Sequence, residues 1–189
     1  HAFRDHGQGY CLINDVVIAA RELQSDGIFA NVVVLDCDVH QGNGTAALTR
    51  DDPSIFTFSI HSESNFPLRK EQSDLDIGLA DGTDDSCYLE ALEGGVRCSL
   101  ELADADLAVY VAGADAHEGD LLGHLALSKG GLAARDRLVL GLCREMGLPV
   151  AIVMGGGYGR RVADSVDVHL QTVSIAAEMA GAWPHGTGA

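Results

Sequence analysis

Short apolar runs alternate with longer amphipathic segments along this chain. Four runs predict strands of a parallel sheet, because a strand covered on both faces carries apolar side chains at consecutive positions. They span residues 32–35, 55–60, 107–112 and 150–154. Apolar residues at helical spacing predict helices from residue 16 to the stop signal Gly27, and over residues 85–103, 129–146 and 161–181.

This alternation indicates an α/β fold with three layers, in which a mostly parallel sheet lies between two layers of helices. A single domain over residues 1–189 is expected, because a chain of this length with 47% hydrophobic residues can form one sizeable core. Residues 62–83 have no clear periodicity, so we expect a long loop there. The first residue is His rather than Met, which suggests that an N-terminal portion is missing.

Charge and cysteine content narrow the possible partners. The net charge of −16 repels phosphate backbones, so we expect no nucleic acid partner. It favours a cationic substrate, although such a charge more often only keeps a protein soluble. The sequence contains neither a membrane-spanning run nor a signal peptide, so we expect a cytoplasmic protein without membrane association. The five cysteines form no C-x-x-C pair, which favours buried thiols over disulfides or a thiolate metal site.

Polar residues follow the predicted strands, at the sheet edge where α/β proteins bind ligands. Asp36, Asp38 and His40 alternate along an extended segment, so their side chains converge on one side. Carboxylates and one imidazole suit a catalytic zinc ion, which takes three protein ligands and leaves a position open. Asp115, after another strand, can supply the third ligand. The alternative is that these acidic residues cap a helix that begins near Gly44.

A run of three glycines, residues 155–157, comes directly before Tyr158. Glycines allow the backbone to approach a ligand closely, and the phenol could then donate a hydrogen bond to a developing oxyanion. A phosphate-binding loop and a simple tight turn are equally good interpretations of this motif alone.

Four motifs in order resemble one family, the zinc-dependent histone deacetylases and their bacterial acetylpolyamine and acetoin-utilisation relatives, which have the arginase/deacetylase fold. The motifs are His1-Ala2 with Gly9-Tyr10-Cys11-Leu12, residues 34–45, residues 112–117, and Gly155-Gly156-Gly157-Tyr158. The form of residues 40–45, with Asn65-Phe66-Pro67 and Ser73-Asp74-Leu75-Asp76, resembles the class IV branch and its bacterial members most.

The resemblance implies zinc-dependent removal of acetyl groups from an acetylated lysine peptide or a small acetylated amine. It implies that Asp38, His40 and Asp115 bind one zinc ion per chain. His1 then corresponds to the general base and Asn43 to the residue that orients it, while Tyr158 stabilises the oxyanion. Further implied residues are those that bind the substrate, Gly9, Tyr10, Phe66, Leu122 and Gly156, and those near a monovalent cation such as potassium, Asp36 and Ser59.

The match is incomplete in places, and other interpretations stay open. The family has a histidine before His1 that normally hydrogen-bonds the residue at Asp36, so this carboxylate is expected to lack a partner, and a proline is missing after Asp120. For Tyr10, Phe66 and Leu122, the alternative is ordinary packing in the hydrophobic core. A binuclear manganese ureohydrolase shares the fold but has an Asp where this chain has Gly42, and a domain that binds acyl-lysine without hydrolysis is a third possibility.

Overall fold

The computed structural model describes residues 1–181. Five parallel strands form one sheet in the order β3-β2-β1-β4-β5. They are β1 (Val32–Asp36), β2 (Ile55–Ser62), β3 (Leu75–Leu79), β4 (Leu107–Ala112) and β5 (Val150–Met154). The four predicted strands are therefore confirmed, and every strand pair in the described part of the chain is parallel.

Helices cover both faces of this sheet, which confirms the predicted three-layer α/β fold. They are α1 (Asp15–Ser25), α2 (Asn43–Thr49), α3 (Asp85–Ala103), α4 (Lys129–Glu145) and α5 (Val162–Gly181). The larger core lies under α3, α4 and α5 and includes Leu35 and Phe58. Residues of α1 pack against the opposite face, on Val32 and Val34. Consecutive residues of β1 thus face different cores, which is why the strand is apolar from Val32 to Leu35.

Local sequence signals explain where the long helices begin. The side chain of Asp84 accepts a hydrogen bond from the backbone N–H of Cys87 at the start of α3, and Ser128 accepts one from Gly131 at the start of α4. These side chains satisfy N–H groups that have no partner inside a helix. In contrast, no side chain caps α2. The interpretation that the acidic residues after β1 serve as helix caps is therefore wrong.

Two expectations need correction. The segment 62–83 is not a continuous loop, because it contains the edge strand β3. This strand has only five residues and one neighbour, so its weak alternation of half-buried and exposed positions gave little signal. All five cysteines are free, but only Cys37 and Cys143 are buried, whereas Cys87 is exposed. No helix among residues 1–181 has the length and apolar character needed to cross a membrane.

Candidate metal centre

The carboxyl ends of β1 and β4 bring the three predicted ligands together. Asp36 at the end of β1 pairs in register with Val111 of β4, so the segments that follow the two strands lie side by side. His40 Nδ1 is 3.1 Å from Asp38 Oδ1 and 3.2 Å from Asp115 Oδ2. All three side chains are almost completely buried. The structure therefore places Asp38, His40 and Asp115 around one small volume.

The donor set fits a divalent cation. A single ring nitrogen carries at most one proton, yet His40 Nδ1 faces an oxygen from each of two carboxylates. Burial, followed by the charge of Asp38, raises the pKa of Asp115 to about 7. Burial alone would lower the pKa of His40, but the carboxylates of Asp115 and Asp38 raise this pKa to about 10. These buried anions thus attract positive charge, which a metal ion can supply with release of protons.

A fourth side chain reaches the same volume. Candidate ligand atoms of His1, Asp38 and His40 lie within 4.8 Å of one another, so distance alone would also allow His1 as a ligand. However, His1 Nδ1 lies 2.7 Å from Asn43 Oδ1, and Asn43 Nδ2 donates to Gln8 Oε1 at 2.6 Å. Because the oxygen of Asn43 can only accept, Nδ1 of His1 carries a proton and does not offer a lone pair to a metal ion. Asp115 is the better third ligand, since its other oxygen is held by the backbone of Val39 at 3.0 Å.

The glycine loop before Tyr158 packs directly on the ligand carboxylates. Gly156 N donates to Asp38 Oδ2 at 2.7 Å, and Gly156 O accepts from Ala114 N at 2.6 Å. A Cβ atom at Gly156 would overlap with Asp115 Oδ2, so only glycine fits there. Because Asp38 uses the N–H of Gly156, this group is not free for a phosphate, which weighs against the phosphate-loop interpretation.

Tyr158 places its phenol beside the ligand set. Its ring centroid lies 6.3 Å from that of His40 and 5.9 Å from that of Tyr10. Burial, then the charges of Asp115 and Asp38, raise the pKa of Tyr158 to about 12. The phenol therefore keeps its proton at neutral pH and can act as a hydrogen-bond donor.

A cavity of about 410 Å³ reaches His40, and it contains four of the five predicted substrate-binding residues. It is lined by His1, Gly9, Tyr10, His40, Asn65, Phe66, Leu122 and Tyr158. Tyr10 is 86% exposed, Phe66 37% and Leu122 40%, so these side chains are not ordinary core packing. Gly156 lies deeper, in a second cavity of about 310 Å³ that also borders His1, Asp36 and Tyr158.

The proposed monovalent cation residues are adjacent but not in mutual contact. Asp36 and Ser59 are register partners across β1 and β2. The hydroxyl of Ser59 lies 2.9 Å from His61 Nδ1, whereas Asp36 Oδ1 accepts from Asp38 N at 3.1 Å. Burial, then the charge of Asp38, raise the pKa of Asp36 to about 8. A cation at this position stays a prediction.

Several residues that shape the site were not anticipated. Asp120 Oδ1 accepts from the backbone N–H groups of Leu122 and Gly123 at 2.9 Å, and Asp120 Oδ2 accepts from Tyr158 N at 2.6 Å. The loop therefore keeps a defined turn without the family's proline. The sequence did contain a signal for this turn, because an Asp often accepts hydrogen bonds from the backbone N–H groups two and three residues later. Gln8, Asn65 and Arg135 carried no such signal, because their partners are distant in sequence.

Comparison with known proteins is consistent with this geometry. The family described as Histone deacetylase domain matches residues 1–173. An uncharacterized protein of Picosynechococcus sp. is 48% identical over 169 residues, which cover 89% of this chain and 56% of that protein. The chain spans about half the length of the curated relatives it matches.

Two solved structures share the fold at low sequence identity. An HDAC homolog from Aquifex aeolicus is 22% identical with a TM-score of 0.81, covering 94% of this chain and 50% of that one. The acetylpolyamine aminohydrolase from Burkholderia pseudomallei is 24% identical with a TM-score of 0.75, covering 91% and 51%. At this level of identity the two structures confirm the arginase/deacetylase-like architecture.

Proposed function

Because this chain belongs to the histone deacetylase family, we propose that the protein hydrolyses the acetyl amide of acetyl-lysine or of a related acetylated amine, in a zinc-dependent reaction that releases acetate. The observation that carries this proposal is the convergence of one imidazole nitrogen and two buried carboxylates, from the ends of two neighbouring strands, with the imidazole of His40 lining an open cavity. The substrate is either an acetylated peptide or a small acetylated amine.

Asp38, His40 and Asp115 would hold the metal ion. Zinc in such a site lowers the pKa of an adjacent water and polarises a carbonyl oxygen. The surrounding backbone keeps the two carboxylates in place, because Val39 N donates to Asp115 and Gly156 N donates to Asp38. Both carboxylates therefore present their remaining lone pairs to one point.

His1 is the proposed general base. Its Nδ1 is occupied by Asn43, so the other ring nitrogen is available to take a proton from the attacking water. The amide of Asn43 thus orients the ring of His1. The same nitrogen can then return the proton to the amine that leaves.

Tyr158 is the proposed oxyanion donor. Its phenol remains protonated at neutral pH, and the ring lies beside His40 at the base of the cavity. A donor placed where negative charge develops stabilises the transition state more than the ground state. Tyr10, Phe66 and Leu122 would enclose the alkyl stem of the substrate, with the backbones of Gly9 and Gly156 beside the reacting amide.

The alternative chemistry of a binuclear manganese centre has no support in the site. A carboxylate at position 42 would be needed for the second ion, and this chain has Gly42 there. The net charge of −16 supports a cationic product and argues against a nucleic acid partner.

The test is a deacylation panel on the full-length protein. Acetyl-lysine peptides, acetylpolyamines and longer acyl amides are compared by acetate or acid release, with metal content measured by mass spectrometry. We expect one zinc per chain, and neither bound zinc nor turnover for Asp38→Ala. Two manganese ions, or equal turnover by Asp38→Ala, would overturn the proposal. Binding of acetyl-lysine without acetate release would indicate a recognition domain instead.

A further inference from the structure

The two walls of the cavity are joined by one buried amide. Asn65 Nδ2 donates to the carbonyl oxygen of Leu122 at 2.7 Å, and Asn65 Oδ1 accepts from the N–H of His124 at 2.9 Å. Its side chain is buried, although the wall residues on either side, Phe66 and Leu122, are partly exposed. The amide thus makes the kind of paired hydrogen bonds that two neighbouring strands would make. It links two loops distant in sequence, since Asn65 is 57 residues from Leu122 and 59 from His124.

The loop that carries Phe66 is fixed at two further points. The ammonium group of Lys70 donates to the carbonyl oxygens of Asn65 at 2.6 Å and Pro67 at 2.8 Å, which closes the turn around Phe66. Farther along, Gln41 pairs with both backbone groups of Glu71, at 2.7 Å and 2.9 Å. Gln41 directly follows the ligand His40, so this wall is tied to the metal centre at its base.

The opposite wall is tied to Tyr158. Asp120 accepts from the N–H groups of Leu122 and Gly123 with one oxygen and from Tyr158 N with the other. A set of hydrogen bonds therefore leads from Asn65, the neighbour of Phe66, through Leu122 and Asp120 to the loop of the proposed oxyanion donor. In this set, the buried side chain of Asn65 makes the direct hydrogen bonds from one wall to the other.

We propose that Asn65 is a positioning residue that holds the loops of Phe66 and Leu122 together, and thereby preorganises the channel for the alkyl stem of the substrate. This inference rests on the proposed function of the site. The residue does not touch the reacting atoms. Preorganised walls bind a flexible stem more tightly, since the protein loses less conformational freedom on binding.

The decisive variant is Asn65→Asp, which has almost the same shape. A carboxylate can still accept from His124 N, but it cannot donate to the carbonyl of Leu122, and the two oxygens repel each other. The probes are acetohydroxamate, a metal-binding head without a stem, and a hydroxamate with a linear alkyl stem. We expect the Kd of the stem-bearing probe to rise about tenfold and that of acetohydroxamate to change less than twofold.

Kinetics on the zinc-loaded, full-length protein provide a second readout. For a linear acetylated amine we expect KM to rise with the Kd of the stem-bearing probe, while kcat falls less. Ser64→Ala is the matched control, because Ser64 makes an exposed contact to the same loop, 2.8 Å from His124 Nδ1, without touching the backbone pair. It should leave both Kd values unchanged.

The outcomes separate this inference from the proposed function. If the unaltered protein releases no acetate and binds neither hydroxamate, the proposed function fails. If the unaltered protein is active, but Asn65→Asp raises the Kd values of both probes equally or changes neither, only the positioning role of Asn65 is refuted. An equal effect of Ser64→Ala would refute it as well. Should Asn65→Asp melt below the assay temperature, Asn65→Ser replaces it, with the same expected ratio of Kd values.

Discussion

Removal of the guanidinium group of Arg135 is expected to be the most destabilising single change in this fold outside the ligand set. Arg135 and its neighbour Asp136 in α4 are completely buried. Arg135 Nε donates to Asp136 Oδ1 at 2.9 Å, and Nη2 lies 2.8 Å from the same oxygen without the alignment of a hydrogen bond. Asp136 also accepts from the hydroxyls of Tyr110 at 2.5 Å and Thr172 at 2.6 Å.

The variant Arg135→Met leaves the carboxylate of Asp136 buried without its cation. Breaking a buried ion pair in this way costs about 3–5 kcal/mol. Since a domain has about 5–15 kcal/mol of stability in total, the loss is a large fraction of it. For a domain of this size, about 2–4 °C of Tm per kcal/mol gives a decrease of about 6–20 °C.

The matched control is the double variant Arg135→Met/Asp136→Asn. It removes both charges together and keeps an oxygen that accepts from Tyr110 and Thr172, so most of the stability should return. Urea unfolding followed by circular dichroism measures both variants. A loss below about 1 kcal/mol for Arg135→Met, or a double variant no more stable than the single one, would show that the pair is not the stabilising unit described above.

The same change should reach the metal centre. Arg135 Nη1 donates to the carbonyl oxygen of Gly113 at 2.5 Å and to that of Cys37 at 3.4 Å. Gly113 and Cys37 directly follow two neighbouring strands and come shortly before the proposed ligands Asp115 and Asp38. We therefore expect the folded fraction of Arg135→Met to bind zinc more weakly in a chelator competition assay, and unchanged zinc affinity would limit Arg135 to a role in stability.

Three further predictions concern single substitutions. Tyr158→Phe should lower kcat by about 10²–10³ with a smaller change in KM, and steady-state kinetics showing full activity would exclude the phenol as oxyanion donor. Gly156→Ala should abolish zinc binding, because the added Cβ atom overlaps with Asp115 Oδ2. The control Gly141→Ala should retain zinc binding, because there is open space around the added Cβ atom. Equal zinc content in the two variants would contradict the close packing at Gly156. Burial lowers the pKa of His61 to about 4, so the ring is neutral in the fold and the unfolded chain takes up more protons below pH 6.5. The contribution of His61 to stability should therefore fall by at most about 3 kcal/mol between pH 6.5 and 4. In urea titrations, the stability of the unaltered protein relative to His61→Gln should decrease over this range, and a constant difference would contradict the buried neutral ring.

Much of the fold could be predicted from local patterns. The apolar run of β1 is continuous because both faces of the sheet are covered there. The edge strand β3 escaped prediction because Leu75, Ile77 and Leu79 pack only on one side, and its pairing with β2 depends on residues outside the segment.

The candidate site was predictable to a similar degree. Asp38, His40 and Asp115 could be proposed because parallel strands place the residues after their carboxyl ends at one edge. The support of these ligands could not be predicted. Gln8 acts through Asn43, and Gln41, Asn65 and Arg135 bond backbone groups, which every residue type carries and which therefore leave no mark in the sequence.

The sequence alone determined the α/β class, the sheet edge that carries the chemistry, and the identity of the residues that could bind a metal ion, since these follow from periodicity and from side-chain chemistry. Only the tertiary structure decided that His40 faces both carboxylates, that Asn43 occupies one nitrogen of His1, and that Asn65 joins the channel walls. Each of these contacts joins segments distant along the chain or depends on side-chain direction, and both are fixed by the packing of the whole domain.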